Sequence, residues 1–340
     1  MEAELKNSER FDAAANAVCG KIGKYLHALP KEIKDVTQEI RLRVNRPVTL
    51  CCTAGIYFLD KMGSISCCPG PENLTASKDD LGESFRNICG YSVYSHENEI
   101  KNGYITVCGG HRVGICGTAV FQNGRVSGMK DISSINVRVA REIIGCADKI
   151  MEQLKESISG GLLLAGPPSS GKTTILRDIA RQLSSGKNGS IKKVTVVDER
   201  GEIAGTYLGV PQNDLGLCCD VLDAYPKAEG IMQAVRALSP QFIICDELGT
   251  EDEAAAVEQG LNAGAAMIAS IHAGNIEELL KRRQAEALLK TGAFKNIAML
   301  GGERPGSVIG IYKTGDLLAE DIRLADPYSV GDACGVYGIA

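Results

Sequence analysis

Apolar positions three and four apart open the chain. Phe11, Ala14, Val18, Ile22 and Leu26 predict an amphipathic helix over residues 8–30. The pattern then shortens. EIRLRV and VTLCC read as strands joined by Asn45-Arg46-Pro47, with a third strand over residues 55–59, a loop over 69–73 and a helix over 81–89. Residues 99–145 are rich in Gly and β-branched residues, and Gly109-Gly110 and Asn123-Gly124 mark turns between strand-like runs. This first part reads as α+β with antiparallel pieces.

From about residue 148 the pattern alternates. GLLLAG, KVTVVD, FIICDE and AAMIASIHAG read as strands, and helical periods fill the gaps at 173–185, 230–239, 251–264 and 276–292. Alternation of this kind predicts a parallel sheet with helices on both faces, because apolar runs such as LLLA and FIIC need cover on both sides. After residue 316 the pattern is weak. The domains expected are an N-terminal α+β domain over 1–145, an α/β domain over 146–316 and a tail over 317–340.

Composition narrows the class. Of 340 residues, 44% are hydrophobic and 23% charged, enough for sizeable cores, and with no Trp and 5% aromatics the packing falls to aliphatic residues and Ala. Against 37 basic residues stand 42 acidic ones, a balance of -5 that disfavours a general nucleic-acid binder. The 13 Cys contain no C-x-x-C array, and adjacent pairs such as Cys51–Cys52 suit neither one metal nor one disulfide, so reduced thiols in a cytoplasm are expected. The charged N-terminus has no signal-peptide pattern and no window is apolar enough to span a membrane.

The sharpest chemistry is Gly166-Pro167-Pro168-Ser169-Ser170-Gly171-Lys172-Thr173, followed by Thr174. The spacing G-x-x-x-x-G-K-[ST] between a strand and a helix is a phosphate loop: glycines let backbone N–H groups ring the phosphates, the Lys supplies a charge, and the Thr hydroxyl faces Mg²⁺. About 70 residues on, the strand FIIC ends in Asp246 and Glu247, placing one carboxylate to hold Mg²⁺ and a second to activate water. Another strand ends in Asp198, Glu199, Arg200 and Glu202, a crowd of acids that a bound Mg-phosphate would relieve. His272 ends a third strand at the same expected edge, where it could sense a γ-phosphate. ATP and Mg²⁺ are the cofactors implied, and an ATPase the activity. A nucleic-acid translocase or recombinase-like ATPase uses the same core and is the alternative; a small-molecule kinase or a non-hydrolysing scaffold are further options.

These four motifs, in this order, resemble the secretion ATPase superfamily of type II and type IV secretion and type IV pili. The family's acid-acid-x-x-acid box falls on Asp198, Glu199 and Glu202, its essential Glu on Glu247, and its histidine box on His272; Asp246 departs from the Gly common there. The segments EIRLRVNRPV, NGYITVCGGHRVGICGTAV and DISSINVRVAREIIG are similar to the stage III AA branch of sporulation proteins. The resemblance implies a RecA-like motor domain, a hexameric ring, an integral-membrane partner in a channel complex of the developing endospore, and a place in the mother-cell cytoplasm. It also implies phosphate-contacting arginines from the N-terminal part, with Arg112, Arg138 and Arg141 as candidates and Arg41 and Arg43 behind them. Under it the catalytic set is Glu247, Glu199, Glu202, His272, Arg112 and Arg138, and the metal set Thr173, Asp246 and Asp198.

Overall fold

The computed structural model describes residues 7–187, 189–302 and 305–325. The chain divides into two compact units, one of residues up to Arg141 together with Gly205–Gln212, the other of Glu142–Ala204 and Asn213 onward.

The first unit begins with three short helices, α1 (Asn7–Ala15), α2 (Gly20–His27) and α3 (Lys31–Val36), the first two standing where one helix over residues 8–30 is expected. The reason is local. Cys19 and Pro30 both adopt extended ψ of 147°, which breaks the helical path while Phe11, Ile22 and Leu26 still reach one core. The sheet strands are β1 (Thr37–Arg43), β2 (Arg46–Pro47), β3 (Thr49–Cys52), β4 (Gly55–Leu59), β5 (Ile65–Ser66), β6 (Thr75–Ala76), β7 (Tyr104–Val107), β8 (His111–Gln122) and β9 (Arg125–Arg138), with α4 (Lys78–Ile88) and α5 (Glu97–Lys101) between β6 and β7. Seven of these strands form an antiparallel sheet in the order β5-β4-β3-β1-β9-β8-β7. Along β1, Ile40 and Leu42 are buried while Arg41 and Arg43 face the other side, the alternation of a sheet covered on one face. A capping box starts α4: Asp80 N donates to Ser77 Oγ (3.1 Å) and Ser77 N to Asp80 Oδ2 (2.8 Å).

The second unit contains α6 (Asp148–Gln153), β10 (Leu162–Gly166), α7 (Lys172–Ser185), β11 (Val194–Asp198), β12 (Cys219–Asp223), α8 (Lys227–Ala237), β13 (Phe242–Cys245), α9 (Glu251–Asn262), β14 (Ala266–His272), α10 (Ile276–Lys281), α11 (Arg283–Lys290), β15 (Asn296–Leu300), β16 (Val308–Lys313) and α12 (Thr314–Ala325). Its sheet has the order β12-β11-β13-β14-β10-β15-β16, parallel throughout except for β16. Helices on both faces bury β10, β11, β13 and β15 completely. The helix expected over 276–292 is two, because Arg282 is extended at φ −82°, ψ 121°. The weakly patterned residues from Thr314 form α12. This is the α/β architecture of a RecA-like P-loop domain, preceded by a smaller α+β unit. No helix among the described residues is long and apolar enough to cross a membrane.

Candidate nucleotide-binding site

Register fixes where the chemistry gathers. Gly166 on β10 stands beside His272 on β14, Cys245 on β13 beside Ala269, and Val197 on β11 beside Cys245. The phosphate loop, Asp246, the acidic turn after β11 and His272 therefore leave the sheet at one carboxyl edge, where open α/β sheets bind ligands.

The loop from Gly166 to Lys172 is tightly wound. Gly171 is left-handed at φ +91°, and a Cβ there would lie 2.7 Å from Gly306 N. A Cβ on Gly166 would lie 2.6 Å from Ser170 Oγ. Gly306 N donates to Ser170 O (2.7 Å), so the turn after β15 braces the loop from outside. Ser170 Oγ is buried and has no hydrogen-bond partner among the described residues. Lys172 is buried and spends its three hydrogens on Gly166 O (2.9 Å), Pro167 O (2.8 Å) and His272 Nδ1 (3.2 Å). Burial pulls its ammonium below the ordinary lysine value, with Asp246 and Glu247 pulling the other way. A cleft of about 410 Å³ opens here, lined by Pro168 to Thr174, Glu202, Glu247, His272 and Pro305.

Beside the loop, Thr173 Oγ1 donates to Asp246 Oδ2 (2.6 Å), while Asp246 Oδ1 accepts from Ser270 Oγ and from Glu247 N (2.9 Å). A hydroxyl and a carboxylate in contact at a helix N-terminus are the oxygen donors a hard divalent cation takes. Glu247 itself is left-handed at φ +48°. Its Oε1 accepts from His272 Nε2 (2.6 Å) and its Oε2 from Arg200 Nη1 (2.7 Å). Since Lys172 has only hydrogens to give, His272 Nδ1 accepts and Nε2 carries the proton. Burial works to raise the Glu247 carboxyl, but His272, Arg200 and Lys172 together hold it below the ordinary glutamate value.

The acidic turn behaves differently from expectation in one respect. Asp198, expected among the metal ligands, is turned inward. Its carboxylate is almost fully buried and accepts from the backbone of Glu202 (2.9 Å), Ile203 (3.1 Å) and Ala204 (2.7 Å), closing the turn on itself. Burial pushes it up to about 6 against the pull of those three amides. Glu199 accepts from the buried Lys227 Nζ (2.6 Å), which also reaches Glu253 (3.4 Å). Arg177, one helical turn beyond the phosphate loop, donates to Glu202 O (2.8 Å) and Ile203 O (2.9 Å) and ties the turn to α7.

The family described as sporulation stage III, protein AA, matches residues 9–318. Stage III sporulation protein AA of Bacillus subtilis (strain 168) is 38% identical over 297 residues, 86% of this chain and 92% of that protein. The chain belongs to the stage III sporulation protein AA family. Among solved structures, the Legionella pneumophila ATPase DotB aligns over 90% of this chain and 84% of its own, with a TM-score of 0.54 and 14% identity. The pilus retraction motor PilT, solved with bound ADP, aligns over 79% and 76%, with a TM-score of 0.50 and 17% identity. At such identities the likeness is one of fold.

In this stage III AA family member the candidate arginines belong to the N-terminal unit and have partners there. Arg138 pairs with Glu39 (3.2 Å), as does Arg41 (2.7 Å); the Arg112 guanidinium lies 3.7 Å from the centroid of Tyr104; Arg141 donates to Thr37 O (2.6 Å) and Arg43 to Thr49 Oγ1 (3.2 Å). Sequence reasoning missed Ser270, Arg177 and Lys227 as parts of the site. Ser270 precedes His272 by two on β14 and so shares its face, a period-2 signal that was available. Lys227 and Arg177 sit on helices with no local mark of their role.

Proposed function

We propose that this protein is a Mg²⁺-dependent ATPase whose turnover drives a homo-oligomeric, hexameric ring docked on an integral-membrane partner in the channel complex of the developing endospore, at the mother-cell face of the membrane. The observation that carries the catalytic reading is the Thr173–Asp246 contact of 2.6 Å, which brings the phosphate loop and the acid-ended strand together from 73 residues apart. Bound Mg-ATP supplies the phosphoanhydride and the cation that neutralises charge as it breaks. The chain's residues do the rest. The amides of the loop and of the first turn of α7 hold the phosphates, and Lys172 gives them its charge. Thr173 and Asp246 hold the cation. Glu247 orients the attacking water and takes its proton, while His272 keeps the carboxylate in place. Arg112 or Arg138, offered by a neighbouring subunit, is the reading that completes the charge neutralisation.

The test is steady-state ATP hydrolysis by the purified chain beside Lys172→Ala and Glu247→Gln. Lys172→Ala loses nucleotide binding, since it removes the one buried cation in the loop; Glu247→Gln keeps binding and loses about 10²–10⁴ in rate. Unchanged ATP affinity in Lys172→Ala rules out the phosphate-loop assignment. Activity that rises cooperatively with protein concentration, rather than in proportion to it, supports the ring.

A further inference from the structure

Glu247 is the residue whose placement is hardest to explain by its own strand. It leaves β13 at φ +48°, a left-handed backbone that residues with a Cβ rarely adopt and that persists only where the surroundings impose it. The backbone is held by Glu247 N donating to Ser270 Oγ (3.0 Å) and Asp246 Oδ1 (2.9 Å). The side chain is held from both ends, Oε1 by His272 and Oε2 by Arg200. A carboxylate has about four lone-pair sites, so two such bonds fix its plane and still leave one site on each oxygen for a water.

The two halves of this clamp are not equivalent. His272 also accepts from Lys172, whose three hydrogens are all committed. A phosphate approaching Lys172 must take at least one of them, and the His272 contact, at 3.2 Å, is the longest of the three. The imidazole therefore answers to phosphate. Arg200 reaches Glu247 from a different segment, the turn after β11, whose position is set by the Asp198 and Arg177 hydrogen bonds.

We infer that Arg200 is the positioning residue for Glu247: it holds the carboxylate's orientation from the acidic turn while His272 reports the phosphate. Arg200 falls in the unspecified part of the acid-acid-x-x-acid spacing, so that spacing gives it no role. The inference rests on reading Glu247 as the group that activates water.

The experiment measures kcat for ATP hydrolysis, affinity for a fluorescent ATP analogue, and melting temperature for wild type, Arg200→Ala, Arg200→Lys and Glu247→Gln. Arg200→Ala lowers kcat about 10- to 100-fold, the scale of a misplaced catalytic group, with affinity unchanged because the loop is held by the hydrogen bonds of Lys172, Thr173 and Gly306. Arg200→Lys recovers most of the loss, since a single charge-assisted bond to Oε2 is what is needed. If Glu247→Gln is inactive while Arg200→Ala keeps wild-type kcat, this inference fails and the base assignment survives. A fully active Glu247→Gln, or a wild type that binds ATP and does not cleave it, removes the base assignment and this role with it. A rate loss that Lys does not recover and that tracks a fall in affinity or melting temperature makes Arg200 structural.

Discussion

His111 offers the most quantitative handle on this fold. It lies in the GGHRVG segment that carries the resemblance to the sporulation branch, at the start of β8, and it is fully buried. Nδ1 accepts from Ala140 N (3.0 Å), and Gly109, left-handed at φ +86°, is required because a Cβ there would lie 2.6 Å from His111 Nε2. Burial, aided by the Arg10 charge, lowers its pKa from 6.5 to about 4. The folded state thus holds the ring neutral, and the unfolded chain binds the proton first as pH falls. Stability from this residue is fully present above pH 6.5 and is lost as pH falls toward 4. The loss amounts to about 2 kcal/mol at pH 5 and about 3 kcal/mol at pH 4, approaching about 3.4 kcal/mol below that. The assay is urea unfolding of wild type and His111→Asn, whose carbonyl keeps an acceptor near Nδ1, across pH 4–8. Because Asn does not titrate, the stability difference between the two chains should shrink by about 3 kcal/mol from pH 8 to pH 4. A difference that stays flat over that range refutes the buried neutral histidine.

Two further outcomes follow from the site. Gly171→Ala forces a Cβ onto Gly306 N at a left-handed position, so it should cost at least about 1 kcal/mol of stability and weaken ATP binding, read by calorimetry; normal binding would mean that the turn after β15 does not brace the loop. Asp246→Asn keeps the shape beside Thr173 but removes the charge, so the Mg²⁺ concentration for half-maximal ATPase should rise about 10- to 100-fold; an unchanged requirement would move the cation elsewhere.

Much of the α/β unit was legible because its signals are contiguous. Eight consecutive residues specify the phosphate loop, and fully apolar strands announce a sheet covered on both faces. Asp246, Glu247 and His272 stood out as candidates because the acids directly follow a strand, β13, and the histidine ends another, β14. Asp198 ends one too, yet it turns inward: what decides its direction is the closure of the turn, where three amides outcompete solvent for its oxygens. The first helix was overextended because apolar spacing persists across Cys19 while the backbone does not. β12, β15 and β16 were missed: β12 and β16 are edge strands with mixed burial and no clean period, and the buried β15 is a run of five residues, too short to be told from the end of a helix by its pattern.

By itself, then, the order of residues determined where the phosphate-loop pattern lies, because its two glycines, Lys172 and Thr173 are contiguous in the chain. It also determined the α/β alternation, because burial on two faces leaves an unbroken apolar signature. Only the tertiary structure decided that Arg200, Glu247, His272 and Lys172 form one connected chain of hydrogen bonds. These residues lie on four segments whose adjacency comes from the strand order β11-β13-β14-β10. Crossovers set that order through packing of whole helices against the sheet, and no local spacing records it.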